Sequence, residues 1–225
     1  RWGADTLRVV MNRSIGEARE KLKRRLRQLP DGAWRDVQYI DHDGHRDDIY
    51  QIICTMTKEG DHLTFDFTGT SSNAQGLINS TYAGLEAGVL TAVYINLCWD
   101  IAWNRGVKDC LDIVSETGTV NNCAYPAPCA MATISAVIVT IDAVWRCLAR
   151  MMMASEGLRD EVTAVWSGTS MAPIFSGTSQ HGYPFAATEM SHFGGGGGAL
   201  CEGNAGFHTP RLEVRVQGRS EEPPL

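Results

Sequence analysis

The sequence predicts an α+β protein in which short antiparallel strands and long buried helices occupy separate runs of the chain. Three observations carry this. Apolar residues recur at three- and four-residue steps over the first thirty or so positions, the period of an amphipathic helix. They then alternate with polar ones between Asp-Gly and Gly-Asp turn signals. Later they fill a stretch, Met131 to Met153, that contains neither Gly nor Pro and is apolar on nearly all sides. Strands and helices that come in separate runs, without a regular βαβ alternation, argue for α+β and against a doubly wound sheet. The composition agrees: 225 residues, 44% apolar and 20% charged, are the balance of a globular chain. The net charge is −6 and no Lys/Arg block occurs, so a nucleic-acid partner has no electrostatic footprint.

The first helix is set by Leu7, Met11, Ile15, Ala18, Leu22, Leu26 and Leu29, and Pro30-Asp31-Gly32 stops it. Its basic face, Arg19 to Arg27, is interleaved with acids and reads as solvated surface. Strands follow at about 33–41, 47–57 and 62–68, separated by the hairpin signals Asp43-Gly44 and Gly60-Asp61. A loop rich in Gly, Ser, Thr and Asn runs from Gly69 to Gly88, overlapping a mostly apolar helix at Leu85 to Leu97. A short strand at Leu111 to Val114 leads to a turn at Asn121-Asn122 and to Tyr125-Pro126-Ala127-Pro128. Met131 to Met153 is the core helix, and strands are expected at Val162 to Ser167 and Phe185 to Met190. Residues 1–200 form one domain and 201–225 a polar C-terminal tail.

The seven cysteines contain no C-x-x-C pair, and several lie in apolar stretches. They predict free, buried thiols and a reducing cytoplasmic compartment. The chain opens at Arg1 without Met or a signal layout, which reads as a piece of something longer. The apolar run Ile134 to Ile141 falls well short of the roughly 20 residues of a membrane span, so no membrane partner is expected.

Among motifs, Gly168-Thr169-Ser170-Met171-Ala172 matches the peptide around a subtilisin-type nucleophile, but no separate upstream Asp and His motifs accompany it. Asp41-His42-Asp43-Gly44-His45-Arg46-Asp47-Asp48 is dense in metal-ligand types, yet it sits at a hairpin signal and fails the EF-hand register; an exposed acidic turn accounts for it. The five glycines Gly194 to Gly198 lack a Walker lysine, so the chain carries no defensible nucleotide site. The string Asp66 to Thr81 differs. A strand ends there in a dense array of short polar side chains and glycines that can hold a small polar ligand.

That string resembles the hydantoinase B/oxoprolinase family, whose members carry Asp-(Phe/Leu)-Thr-Gly-(Ser/Thr)-Ser followed by Gln-x-x-Gly-x-Ile-Asn. The matching residues are Asp66 to Ser71, Gln75-Gly76 and Ile78-Asn79, with the two residues between Gln and Gly absent. Asp100-Ile101-Ala102-Trp103-Asn104-Arg105-Gly106, Gly118 to Asn122, Tyr125 to Pro128, Trp166 to Thr169 and Leu29 to Gly32 resemble further segments of the family in the same order. The resemblance covers roughly residues 1 to 200 and implies that the family's N-terminal region is missing. It implies a B-type component that works with a hydantoinase A-type ATP-binding subunit as a cytoplasmic hetero-oligomer. The partner phosphorylates a cyclic amide or an enolate oxygen, and the B-type component completes ring opening with water or, as in acetone and acetophenone carboxylases, carboxylation of a ketone. A divalent metal is implied as well, with ligands expected outside this chain. Candidates for lining the substrate cavity are Asp66, Gly69, Thr70, Ser71, Gln75, Asn79, Asn104, Asn121 and Asn122. No acid, base or nucleophile is assignable, and a non-catalytic assembly role is the rival from another class.

Overall fold

The computed structural model describes residues 2–165, 174–178 and 180–188. Helix α1 (Ala4–Leu26) carries Asp5 in its first turn and Lys23, Arg24 and Arg25 in its last, matching the helix dipole. Only its second half is core: Ala18, Leu22 and Leu26 are buried, whereas Leu7 and Met11 are more than half exposed. The apolar stripe therefore extends beyond the surface that covers it. The helix stops at Leu26, and Leu29 is buried after it by a tight turn in which its N–H reaches the Leu26 carbonyl.

Strands β1 (Gly32–Ile40), β2 (Tyr50–Glu59), β3 (His62–Asp66) and β4 (Leu111–Val114) form one sheet in sequence order. The first three are antiparallel, and β4 runs parallel to β3 with Leu111 opposite Leu63 and Val114 opposite Asp66. A parallel neighbour needs a long crossover. Here it spans residues 67–110 and contains α2 (Tyr82–Leu97) and the short α3 (Arg105–Lys108). Register puts Trp34, Asp36 and Ile40 on one face with Ile52, Cys54, Met56, Leu63 and Phe65, and that face is the core side.

Across it lies α4 (Ala136–Met153), preceded by a 3-10 turn at Ala132–Ile134, and α2 packs on α4. Ala132–Met153 has the length and mean hydropathy, 1.6, of a membrane-crossing helix. Contact with the sheet on one side and α2 on another accounts for an apolar surface almost all round. At the other end α3 presses on α1, where a Cβ on Gly106 would stand 2.1 Å from the Ile15 carbonyl oxygen. Only glycine fits that contact.

The β2 strand starts at Tyr50 instead of 47, because residues 45 and 46 spend their N–H groups on Asp43. A hairpin, β5 (Ile174–Thr178) with β6 (Pro184–Thr188), replaces part of what reads in sequence as a connection. Residues 162–165 belong to no named strand, and 166–167 lie outside the described residues, as do Gly168 to Ala172, Gly194 to Gly198 and the tail 201–225.

Candidate functional site

The polar loops after β3 and β4 are sewn to one another and to β2. Ser71 exchanges two bonds with the Gln51 backbone: its N–H donates to the carbonyl and its Oγ accepts the amide, each at 2.9 Å. Thr70 Oγ1 accepts the Ile53 N–H at 3.1 Å. The amides of Val120, Asn73, Ser80 and Cys123 close the seam onto the carbonyls of Ser71, Gly118, Val120 and Ser80, all at 2.8 Å. Asn79 is fully buried. Its Oδ1 accepts the Ala74 N–H at 2.7 Å, and its Nδ2 donates to the carbonyls of Ala74, Gly76 and Pro128 at 2.9–3.0 Å. Asp66 accepts the Thr68 N–H, Asn122 donates to Ser115 Oγ, and Gly69 supplies a positive φ of 88° at the bend. Asn121 is buried with Oδ1 bonded to Thr119 and Nδ2 unpartnered, and Gln75 is exposed.

So the structure gathers Asp66, Gly69, Thr70, Ser71, Asn79, Asn121 and Asn122 along one seam, with Gln75 at its surface. Asn104 stands apart: it caps α3, accepting the Gly106 N–H and donating to the Ser14 carbonyl of α1. None of the nine lines the cleft that opens beside the seam, because most of their polar atoms are engaged in holding the loops' own shape.

That cleft, about 700 Å³, lies where α4 meets the end of β1. One wall is the α4 stripe Val139, Asp142 and Arg146, residues three and four apart that share a face, with Ser135 at the N-cap of the helix. Opposite stand residues 38–40 of β1 and the connection 41–45, with Leu77, Ile78 and Met131 completing the lining.

Asp43 holds this connection in place. One carboxylate oxygen accepts the N–H groups of His45 and Arg46, both at 2.7 Å, and the other accepts Tyr50 Oη–H at 2.9 Å and the Gly76 N–H at 3.2 Å. These donors, the two backbone amides foremost, hold its carboxyl far below the usual carboxylate range. A Cβ on Gly76 would sit 1.6 Å from the Asp43 carbonyl oxygen, so the 41–48 and 66–81 segments meet at a contact that excludes any other residue. The sequence reading of 41–48 as an exposed turn holds for Asp41, His42 and residues 44–48 and is corrected at Asp43 alone, which is 3% exposed. A signal was present, since Asp readily accepts from amides two and three residues on.

Asp142 was missed altogether. It is 9% exposed, and its Oδ1 has no partner. Burial pushes its carboxyl up to about 7; the charge of Asp36 adds to that, while Arg146 opposes it. Asp36 is itself held by Arg150 at 2.7 Å and by Gln38. A carboxyl that titrates near neutrality at a cleft wall can take or give a proton at working pH. The available signal was a lone acid inside an apolar helix, which is costly unless it has a use or a partner.

The described residues do not fit a divalent metal. Among them no three His, Cys, Asp or Glu side chains converge, the Asp43 carboxylate is spent on its four donors, and His42 Nδ1 accepts the Gly44 N–H. The buried thiols match the sequence expectation of free cysteines, with Cys98 pushed up to about 12 and Cys110 to about 11 by burial.

A small mixed sheet crossed by one core helix defines the fold, and the same fold forms part of larger solved proteins. The ATP-dependent caprolactamase of Pseudomonas jessenii shares the fold with a TM-score of 0.76 at 22% identity, over 91% of this chain and 35% of that one. An acetone carboxylase solved without nucleotide does so with a TM-score of 0.69 at 20% identity, over 85% and 28%. The chain belongs to the hydantoinase B/oxoprolinase family, whose model matches residues 1–218. Among curated relatives, the putative B component of a D-/L-hydantoinase from Pseudomonas sp. strain NS671 is 25% identical over 186 residues, covering 76% of this chain and 31% of that protein. An uncharacterised protein of Methanocaldococcus jannaschii is 23% identical over 194 residues, covering 86% and 32%. The chain thus spans about a third of the length of the curated relatives it matches.

Proposed function

We propose that this chain is part of the B-type component of an ATP-dependent enzyme that opens a cyclic amide after an A-type partner has phosphorylated the amide oxygen. The observation that carries this reading is Asp142: a buried carboxyl with an unpartnered oxygen, poised near neutrality in a cleft of ligand size, on a fold of this family. An unactivated amide is a poor electrophile, and phosphorylating its oxygen prepares the carbon for water. Water adds to that carbon, the C–N bond breaks to leave an acyl phosphate, and a second water releases inorganic phosphate and the carboxylate; the departing nitrogen gains a proton and each attacking water loses one. Asp142 suits that proton handling at neutral pH, and the Asp43–Gly76 contact keeps the opposite wall in place. ATP is assigned to the partner, in keeping with the lack of a phosphate-binding motif in this sequence. The implied metal is assigned to polypeptide other than the described residues.

The test is reconstitution of the complete B-type component with an A-type partner. ATP consumption with hydantoins, 5-oxoproline or caprolactam, and none with bicarbonate plus a ketone, supports the reading. The reverse pattern makes the enzyme a ketone carboxylase, and inactivity with both in an assembled complex leaves the assembly role.

A further inference from the structure

We infer that the cleft between α4 and the 41–45 connection binds a small zwitterion, its amino group against Asp142 and its carboxylate against Arg146. The two side chains are one turn apart on one face of α4, and both line the cleft. Asp142 lines the cleft from a position nine-tenths buried, and its Oδ1, closed off from solvent, has no hydrogen-bond partner. Arg146 is exposed and makes no hydrogen bond or ion pair among the described residues, leaving its guanidinium fork free to grip a carboxylate. The neighbouring cation differs: Arg150 is engaged with Asp36 and the Arg35 carbonyl, each at 2.7 Å.

The charges facing Asp142 decide the ligand class. On its own helix stands Arg146, from β1 comes Asp36 with its partner Arg150, and across the cleft are Asp41, His42, Asp43 and His45. Asp43 is fully engaged, but with Asp41 it keeps that wall negative, which disfavours a simple anion. Arg146 disfavours a simple cation. A molecule bearing both charges meets a complement to each.

Choosing an amino acid as the natural ligand rests on the proposed function, because opening a cyclic amide leaves an amine and a carboxylate on one molecule. That a zwitterion binds there rests on the cleft alone.

Calorimetric titration of the full chain with 6-aminohexanoate, hexanoate and hexylamine tests it, since the first is long enough to span a helical turn of about 5.4 Å. The zwitterion should bind at least tenfold more tightly than either singly charged probe. Arg146→Gln should reduce it to the level of the amine, and Asp142→Asn to that of the carboxylate. With a carboxyl near 7, the ionised fraction rises about tenfold between pH 6 and 8, and the apparent Kd should fall by the same factor. Asp142→Asn must abolish that dependence, which separates it from the imidazoles on the facing wall. Equal binding of all three probes, no binding of any, or a pH dependence that survives Asp142→Asn overturns the inference. Zwitterion binding by a chain that opens no lactam in the reconstituted complex would instead sink the functional reading and leave the ligand class standing.

Discussion

Replacing Asp142 with Asn should change the pH dependence of stability in a direction fixed by burial. In the unfolded chain this carboxyl titrates near 3.8; in the fold it titrates near 7, because its charged form is desolvated and lies close to Asp36. The neutral acid is the form the fold prefers. Its contribution is fully present below 3.8, is lost progressively as pH rises, and is gone above about 7. Three units at about 1.4 kcal/mol each amount to roughly 4 kcal/mol. About a third is already lost at pH 5, so roughly 2–3 kcal/mol remains to be lost between pH 5 and 8, an upper value for a side chain at a solvent-facing cleft. The asparagine is neutral throughout and should gain that much on the native chain over the same range. Urea unfolding at pH 5, 6, 7 and 8 measures it, with fluorescence of Trp145, buried on the same helix, as one reporter. Titrations that do not sense residue 142 occur in both proteins and cancel in the difference. Parallel stability curves for the two chains would refute the reasoning.

Asn79→Ala should cost roughly 3 kcal/mol in urea midpoint measurements, because it strands a buried amide and three carbonyls that the side chain now satisfies. Gly76→Ala should cost more than about 3 kcal/mol, or expose the 41–48 connection to limited proteolysis, since the added methyl overlaps the Asp43 carbonyl; native-like stability with an intact connection would count against the contact. Arg150→Met should cost about 1–2 kcal/mol, discounted because Arg150 is half exposed, and combining it with Asp36→Asn should recover part of the loss, since the penalty comes from leaving a buried carboxylate without its cation.

Much of the framework is legible in the chain. The alternation at 50–57 and the turn signals at Gly60-Asp61 specify β2 and β3 to within a few residues, and β4 is found where the sequence puts it. These depend on neighbours a few positions away. The parallel pairing of β4 with β3 does not: it joins residues nearly fifty apart through a crossover, and no local pattern encodes it. The loop after β3 shows the same division. Its polar composition announces a built structure, but only the fold reveals that Asn79 and Thr70 are spent within it and that Asn104 caps a helix elsewhere.

The sequence by itself determined the α+β class, the order of elements from the first helix to the core helix, and the family, because periodicity, turn chemistry and motif order are written in residues close together along the chain. Tertiary structure alone decided that Asp43 is buried and that Asp142 faces a cleft. The reason is that a carboxyl's charge depends on what surrounds it in space, and Asp43 reaches Gly76 across 33 positions while Asp142 feels Asp36 across more than a hundred.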